Sequence, residues 1–286
     1  MPTIRTFTLD SAELAERIYR DYPHKTTSVG ATLTESVQHE LKEFLEAYLR
    51  FLGSNEHQFL RLDVFLSDDV LNVIEINAEL QDGWGVALNL LRASGNTLPM
   101  CNGAKFPTEI IAYSEDYLPE FELAQNELAR IGKEMQIAWW RDRPGIPSKS
   151  LFDDKMYLAQ FSREWRGDQV HIPKTYWAEN TAWEQLPDDV VFKFRHKYGE
   201  QAQRARYSVA CRADIGKGKF VRQCYTAGHA VVQERIEPLR LEDGSATQAI
   251  IMCSGCHPIT GYLQVAPPNV FVINDRTACK GPLVFE

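Results

Sequence analysis

Two short runs constrain this chain more than any other feature. Leu60-Arg61-Leu62-Asp63-Val64-Phe65-Leu66 is followed, after a brief turn, by Asn72-Val73-Ile74-Glu75-Ile76-Asn77. Apolar and polar residues alternate, the period of strands with one buried face. With the turn centred on Asp69, Asp63 lies opposite Glu75 and Arg61 opposite Asn77, so all four share one face. The other face presents Leu62, Val64, Leu66, Ile74 and Ile76 to a core. A slip of one residue would turn that apolar set outward, which specifies the register.

The polar face has a chemical consequence. Carboxylates directly across a strand pair repel each other. A cation between them removes the repulsion. Asp63, Glu75 and the Asn77 amide oxygen form a hard oxygen set suited to Mg²⁺, with water and substrate phosphates completing the shell. The competing reading is an exposed polar sheet face on which Arg61 pairs either acid.

Around this pair the chain reads as α+β. Residues 3–8 alternate like a strand, and Ser11 is placed to cap a helix running to about Arg20. Val37, Leu41, Phe44, Leu45, Tyr48, Leu49 and Leu52 fall at helical spacing, and Gly53 ends that helix. A Gly-Trp-Gly turn and a short helix occupy 78–92. Beyond a Gly/Pro/Asn-rich loop at 94–107, Thr108–Tyr113, 118–133 and Met135–Trp140 form a strand–helix–strand pattern, the signature of a small parallel unit. A helix begins near Asp153. Strands are expected at Val190–Phe194, Ala230–Gln233, Ala249–Cys253 and Gly261–Val265. The 286 residues suit one large or two modest domains.

Charge narrows the function. Asp and Glu number 39 against 31 Lys and Arg, a net of −8, which argues against general nucleic-acid binding. Yet Lys193 to Arg222 holds nine basic residues and two acidic ones. A cationic segment in an acidic protein fits a compact anion such as a nucleotide triphosphate. A solvated basic face is the alternative. No stretch reaches the roughly 20 apolar residues needed to cross a bilayer, and no signal peptide is visible, so a cytoplasmic location is expected. Cys253-Ser-Gly-Cys256-His257 matches the C-x-x-C-H haem-attachment pattern, but its flanks read as strand–turn–strand. Two reduced cysteines at a hairpin turn are expected there, ahead of haem, zinc or a redox dithiol.

The hairpin and several later segments resemble the ATP-grasp superfamily. Arg61-x-Asp63 and Glu75-x-Asn77 resemble its metal-binding strand pair. Asp153-Asp154-Lys155 resembles its first nucleotide-lysine segment, and His171-Ile-Pro-Lys-Thr175 the link that follows. Val190-Val191-Phe192-Lys193-Phe194 resembles the strand whose lysine reaches the α and β phosphates. Val231-Val232-Gln233-Glu234-Arg235-Ile236 resembles the hinge that holds adenine. The order is rotated: the metal strands come first, the lysines and hinge later. Joining the C-terminus to the N-terminus would restore the usual order, so the resemblance implies a circularly permuted ATP-grasp fold. Residues 1–95 then form the metal-ligand half and 96–150 a Rossmann-like pre-ATP-grasp element. Residues 151–286 carry the lysines, the hinge and the remaining strands. Arg195–Arg206 departs from the family, holding one glycine and several arginines where the phosphate loop is rich in Gly and Ser.

The resemblance implies an ADP-forming carboxylate–amine ligase that uses ATP and Mg²⁺ through an acyl phosphate. Asp63, Glu75 and Asn77 are the implied metal ligands. Lys155, Lys193, Gln233, Glu234, Arg235 and Ile236 are the implied nucleotide contacts, and Arg61 the implied catalytic charge stabiliser. The partners are small-molecule or peptide carboxylates and amines, with neither nucleic acid nor membrane, and an oligomer is compatible with the sequence. The loop Asp82-Gly83-Trp84-Gly85 is expected to border the acceptor. A small-molecule or peptide kinase on the same scaffold, or a non-catalytic nucleotide-binding protein, are the alternatives.

Overall fold

The computed structural model describes residues 4–19, 22–54, 59–67, 70–78, 82–98, 105–112, 115–139, 153–196, 209–211, 218–268, 270, 273 and 277–286. The turn at 68–69, the loop at 141–150 and the arginine-rich stretch 197–206 lie outside the described residues.

The first half supplies β1 (Ile4–Thr8), α1 (Ser11–Arg17), β2 (Val29–Leu33), α2 (Glu35–Phe51), β3 (Phe59–Ser67), β4 (Val70–Asn77) and α3 (Trp84–Ala93). Then come β5 (Glu109–Ala112), α4 (Leu118–Arg130) and β6 (Gln136–Trp139). The second half supplies α5 (Lys155–Phe161), β7 (Val170–His171), β8 (Thr175–Tyr176), β9 (Val190–Phe194) and β10 (Val209–Cys211). It ends with α6 (Gly218–Thr226), β11 (Ala230–Glu234), β12 (Ala246–Ser254), β13 (His257–Ala266) and β14 (Cys279–Phe285). The fold is α+β.

Eight strands form one sheet in the order β1-β2-β14-β13-β12-β3-β4-β7. Its pairs are antiparallel except β14 with β2 and β4 with β7. Four strands form a second, antiparallel sheet, β10-β9-β11-β8. β5 and β6 pair in parallel around α4, as the strand–helix–strand pattern requires.

The large sheet is covered on both faces. On one, α2 buries Val37, Leu41, Phe44, Leu45 and Tyr48 against Leu62, Val64, Val73, Ile251 and Leu263. These helix positions recur at the spacing that forms one apolar stripe. On the other face, α3 and α4 pack Trp84, Leu90 and Phe121 against Ile250, Met252 and Tyr262. This second face also carries Arg61 and Asp63, because Met252 pairs with Arg61 and Ile250 with Asp63. Facing residues of paired strands point the same way.

The β3–β4 register is the expected one at the site: Arg61 opposes Asn77 and Asp63 opposes Glu75. Immediately beyond, it shifts, and Val64 opposes Val73. Ile74 is the extra residue of this β-bulge. It therefore does not join the core face, contrary to the strict alternation. Val73 takes that place, fully buried, while Ile74 is only half-buried. A bulge takes one residue out of the ladder and bends the strand.

Candidate functional site

The hairpin's polar face meets the second sheet through α5. Asp154 caps that helix, accepting from the Met156 amide at 3.0 Å. Its neighbour Asp153 accepts from the Ala78 amide at 2.8 Å, which ties the end of β4 to the start of α5. On the other side the Lys155 amide donates to the Arg195 carbonyl at 3.2 Å, and the Arg195 guanidinium grips the Asp154 carboxylate. Burial works against the Asp154 charge, but Arg195 and the Met156 amide hold its pKa below the usual carboxylate range. Asp153, Asp154 and Arg195 are thus a clamp that brings α5, β4 and β9 together. Charged residues around a helix start are the only sequence signal for it.

The clamp aims two lysines at the hairpin. Lys155 is 6% exposed, with its Nζ 3.3 Å from Glu75 Oε1. Lys193, equally buried, donates to the Ile74 carbonyl at 2.7 Å and to Gln233 Oε1 at 2.7 Å. The bulge explains the first contact, since the carbonyl of the extra residue is turned from the ladder toward the lysine. Burial, with Lys155 adding to it and Glu75 and Asp63 opposing, brings the Lys193 pKa down to about 8.

Arg61 is held between two acids. It donates to Asp63 Oδ1 at 2.9 Å and Oδ2 at 3.1 Å, and its third contact is a short bond to Asp82. Burial disfavours its charge, but Asp63 and Asp82 overcome that and raise its pKa well above the ordinary value. Asn77 Nδ2 lies 3.5 Å from Asp63 Oδ1, so the amide oxygen of Asn77 is not the atom engaged there.

The hinge segment divides by strand alternation. Gln233 faces Lys193, and its Nε2 donates to Thr175 Oγ1 at 3.3 Å. Glu234 points the other way and accepts from the Tyr176 hydroxyl at 2.7 Å. Arg235 lies past the strand end and pairs with Glu237 at 2.9 Å and Asp189 at 3.8 Å. Ile236 is half-buried beyond it. Arg61, Asp63, Glu75, Asn77, Lys155, Lys193 and Gln233 therefore converge, whereas the side chains of Glu234 and Arg235 find their partners elsewhere. Asp82 and Thr175 also belong to the cluster; the sequence placed Asp82 only in the loop expected to border the acceptor and Thr175 only in the link after the first lysine segment.

The Cys253–His257 segment is a hairpin turn between β12 and β13, with Gly255 at φ 59°. Both cysteines are free, and burial raises both thiols above their ordinary pKa, aided at Cys256 by Glu46. Among the described residues no three His, Cys, Asp or Glu side chains gather as a metal site. Also among the described residues, no helix is long and apolar enough to cross a membrane.

Comparison with known proteins yields a distant structural likeness. No family model and no curated protein matches the chain. Among solved structures, the chain is similar to "Putative gamma-glutamylcysteine synthetase" from Methylobacillus flagellatus KT, at 10% identity and a TM-score of 0.41. The match covers 86% of this chain and 82% of that one. A likeness of that size carries no argument about activity.

Proposed function

We propose that this chain is a circularly permuted ATP-grasp enzyme that joins a carboxylate to an amine with consumption of ATP. One observation carries the reading. Two buried lysines from separate segments, Lys155 and Lys193, meet on the very hairpin that pairs Asp63 with Glu75. Buried ammonium groups need anionic partners, and cations and carboxylates brought to one place form a site for a phosphate–metal complex. β1 and β14 flank β2, so the strands that the permuted order joins are near one another. Ile4 and Phe285 both pair with Leu33, from its two sides. At about 4.8 Å per strand they stand roughly 10 Å apart, a gap that a short connection spans.

The donor set fits Mg²⁺. Each carboxylate oxygen has two lone pairs, so Asp63 and Glu75 would hold the ion by oxygens that can serve more than one partner, with the Asn77 amide beside them. When bound, the ion supplies neutralisation of phosphate charge. The remaining roles fall to the protein. Lys193 and Lys155 exchange their present acceptors for nucleotide phosphate oxygens. Gln233 orients Lys193 and presents its amide at the hinge, where the backbone of Glu234, Arg235 and Ile236 lines the adenine. Arg61 stabilises charge on the carboxylate as it takes the phosphoryl group and on the tetrahedral centre when the amine attacks. Residues 1–95, 96–150 and 151–286 serve as metal-ligand half, accessory parallel unit and nucleotide half. The setting is cytoplasmic, where ATP is plentiful.

Incubation with Mg-ATP and pools of carboxylates and amines tests this. ADP, phosphate and a new amide mass are expected. AMP with pyrophosphate overturns the acyl-phosphate route, and a phosphorylated acceptor makes the protein a kinase.

A further inference from the structure

A cleft of about 560 Å³ opens where the start of α3 meets α4 and β13. Two glycines shape it. Gly83 caps α3 at φ 112°, a backbone state that favours glycine. At Gly85 a Cβ would stand 2.4 Å from the Glu120 carbonyl, so α4 reaches the start of α3 only because that side chain is absent. This close approach delivers the Glu120 carboxyl to the floor of the cleft. Glu120 Oε1 accepts from the Gly85 amide at 2.7 Å. Oε2 is buried without a hydrogen-bond partner, on a residue 5% exposed that lines the cleft. Burial, and then the charge of Asp82, push its pKa up to about 8 against the opposing amides of Gly85, Gly83 and Val86.

The surroundings decide what the free oxygen takes. A helix start draws anions, but here Glu120 already stands at the start of α3. The second floor carboxylate, Asp82, is gripped by Arg61. At the rim, Lys25 and Asp116 are both exposed and opposite in sign. Tyr117 supplies an aromatic wall, which favours a cation over an anion, while the Tyr262 ring opposite already has the buried Lys280 Nζ 5.9 Å from its centroid.

We infer that this cleft is the subsite of a primary ammonium group and that Glu120 Oε2 is the atom that accepts its hydrogen bond. Its catalytic meaning rests on the ligase reading, in which the molecule anchored here by its ammonium carries the attacking amine as a second, neutral group. The placement agrees. Glu75, Asp63, Ile250 and Tyr262 form one row across β4, β3, β12 and β13 on one face. At about 4.8 Å per strand, Tyr262 is roughly 10 Å from Asp63. A molecule anchored at Glu120 spans that distance with a few bonds.

The test is binding of n-butylamine to the protein at mildly alkaline pH, followed by calorimetry. Butanol and butyrate serve as neutral and anionic probes of equal length. The amine is expected to bind at least tenfold more tightly than either. Glu120→Gln keeps an oxygen for the Gly85 amide and is expected to weaken the amine at least tenfold while leaving Mg-ATP affinity unchanged. Asp116→Asn, an exposed change with little risk to folding, is expected to weaken it about twofold. Tighter binding of butyrate, or an amine affinity indifferent to Glu120→Gln, overturns the inference. Amine binding without any Mg-ATP binding would retain the subsite and sink the ligase reading. Amide formation with an amine that ignores Glu120→Gln would do the reverse.

Discussion

At the β3–β4 hairpin, acids and bases are matched. Arg61 grips Asp63 and Asp82, Lys155 lies beside Glu75, and Lys193 has a carbonyl and an amide oxygen. In the cleft beside Tyr262, two strands away on the same face, Glu120 of α4 has one oxygen satisfied and one buried without a partner. The difference teaches what each region needs from a ligand. The hairpin is self-neutralised, so a ligand there must replace ion pairs with equivalent ones, as a metal–phosphate complex does. The cleft offers a carboxyl oxygen that, once ionised, takes a donor.

The largest effect that could break this comparison is loss of a hairpin acid. Asp63→Asn or Glu75→Asn should lower Mg-ATP-dependent turnover by about 10²–10³, as removal of one preorganised charge contact does. The near-UV circular dichroism should stay native. Full activity in both variants would remove the hairpin from the mechanism.

Next comes the pairing itself. Lys155→Met removes the buried ammonium beside Glu75 and should cost about 3 kcal/mol of stability in urea titration, the lower end for a broken buried pair. A cost under about 1 kcal/mol would mean that the hairpin does not depend on being matched.

The cleft is sharpened by pH. Glu120 has its folded pKa raised from 4.5 to about 8. The folded state therefore binds the extra proton between those values, and the stability this group contributes is present below about 4.5 and lost as pH rises toward 8. Glu120→Gln lacks that titration. Its stability relative to the parent should rise between pH 5 and 8, by at most about 1.4 kcal/mol per pH unit. Parallel curves would show that the carboxyl ionises there without cost. The smallest effect is expected outside both regions. Arg235→Ala breaks surface pairs and should change stability by under about 1 kcal/mol. It should leave nucleotide affinity unchanged if only the backbone there touches adenine.

Much of this was legible beforehand, and the reason is periodicity. Alternation in 60–77 gave the faces and the register of Arg61, Asp63, Glu75 and Asn77, and the 3.6-residue spacing gave α2. The short strands β7 and β8 and the parallel pairing of β14 with β2 were not legible. Such strands owe their pairing to neighbours distant in the chain rather than to local pattern. Ile74 was misplaced for a related reason: alternation carries no mark of a bulge, whose position depends on both strands.

By itself, then, the sequence determined which residues could share a face, because side-chain direction follows local backbone period. Only the tertiary structure decided which faces meet. It set Lys155 and Lys193 against the hairpin, Gln233 inward and Glu234 outward, and Glu120 at the start of α3 through a glycine with no side chain to keep the helices apart. Those meetings depend on contacts between residues up to more than a hundred positions apart, and no local pattern encodes them.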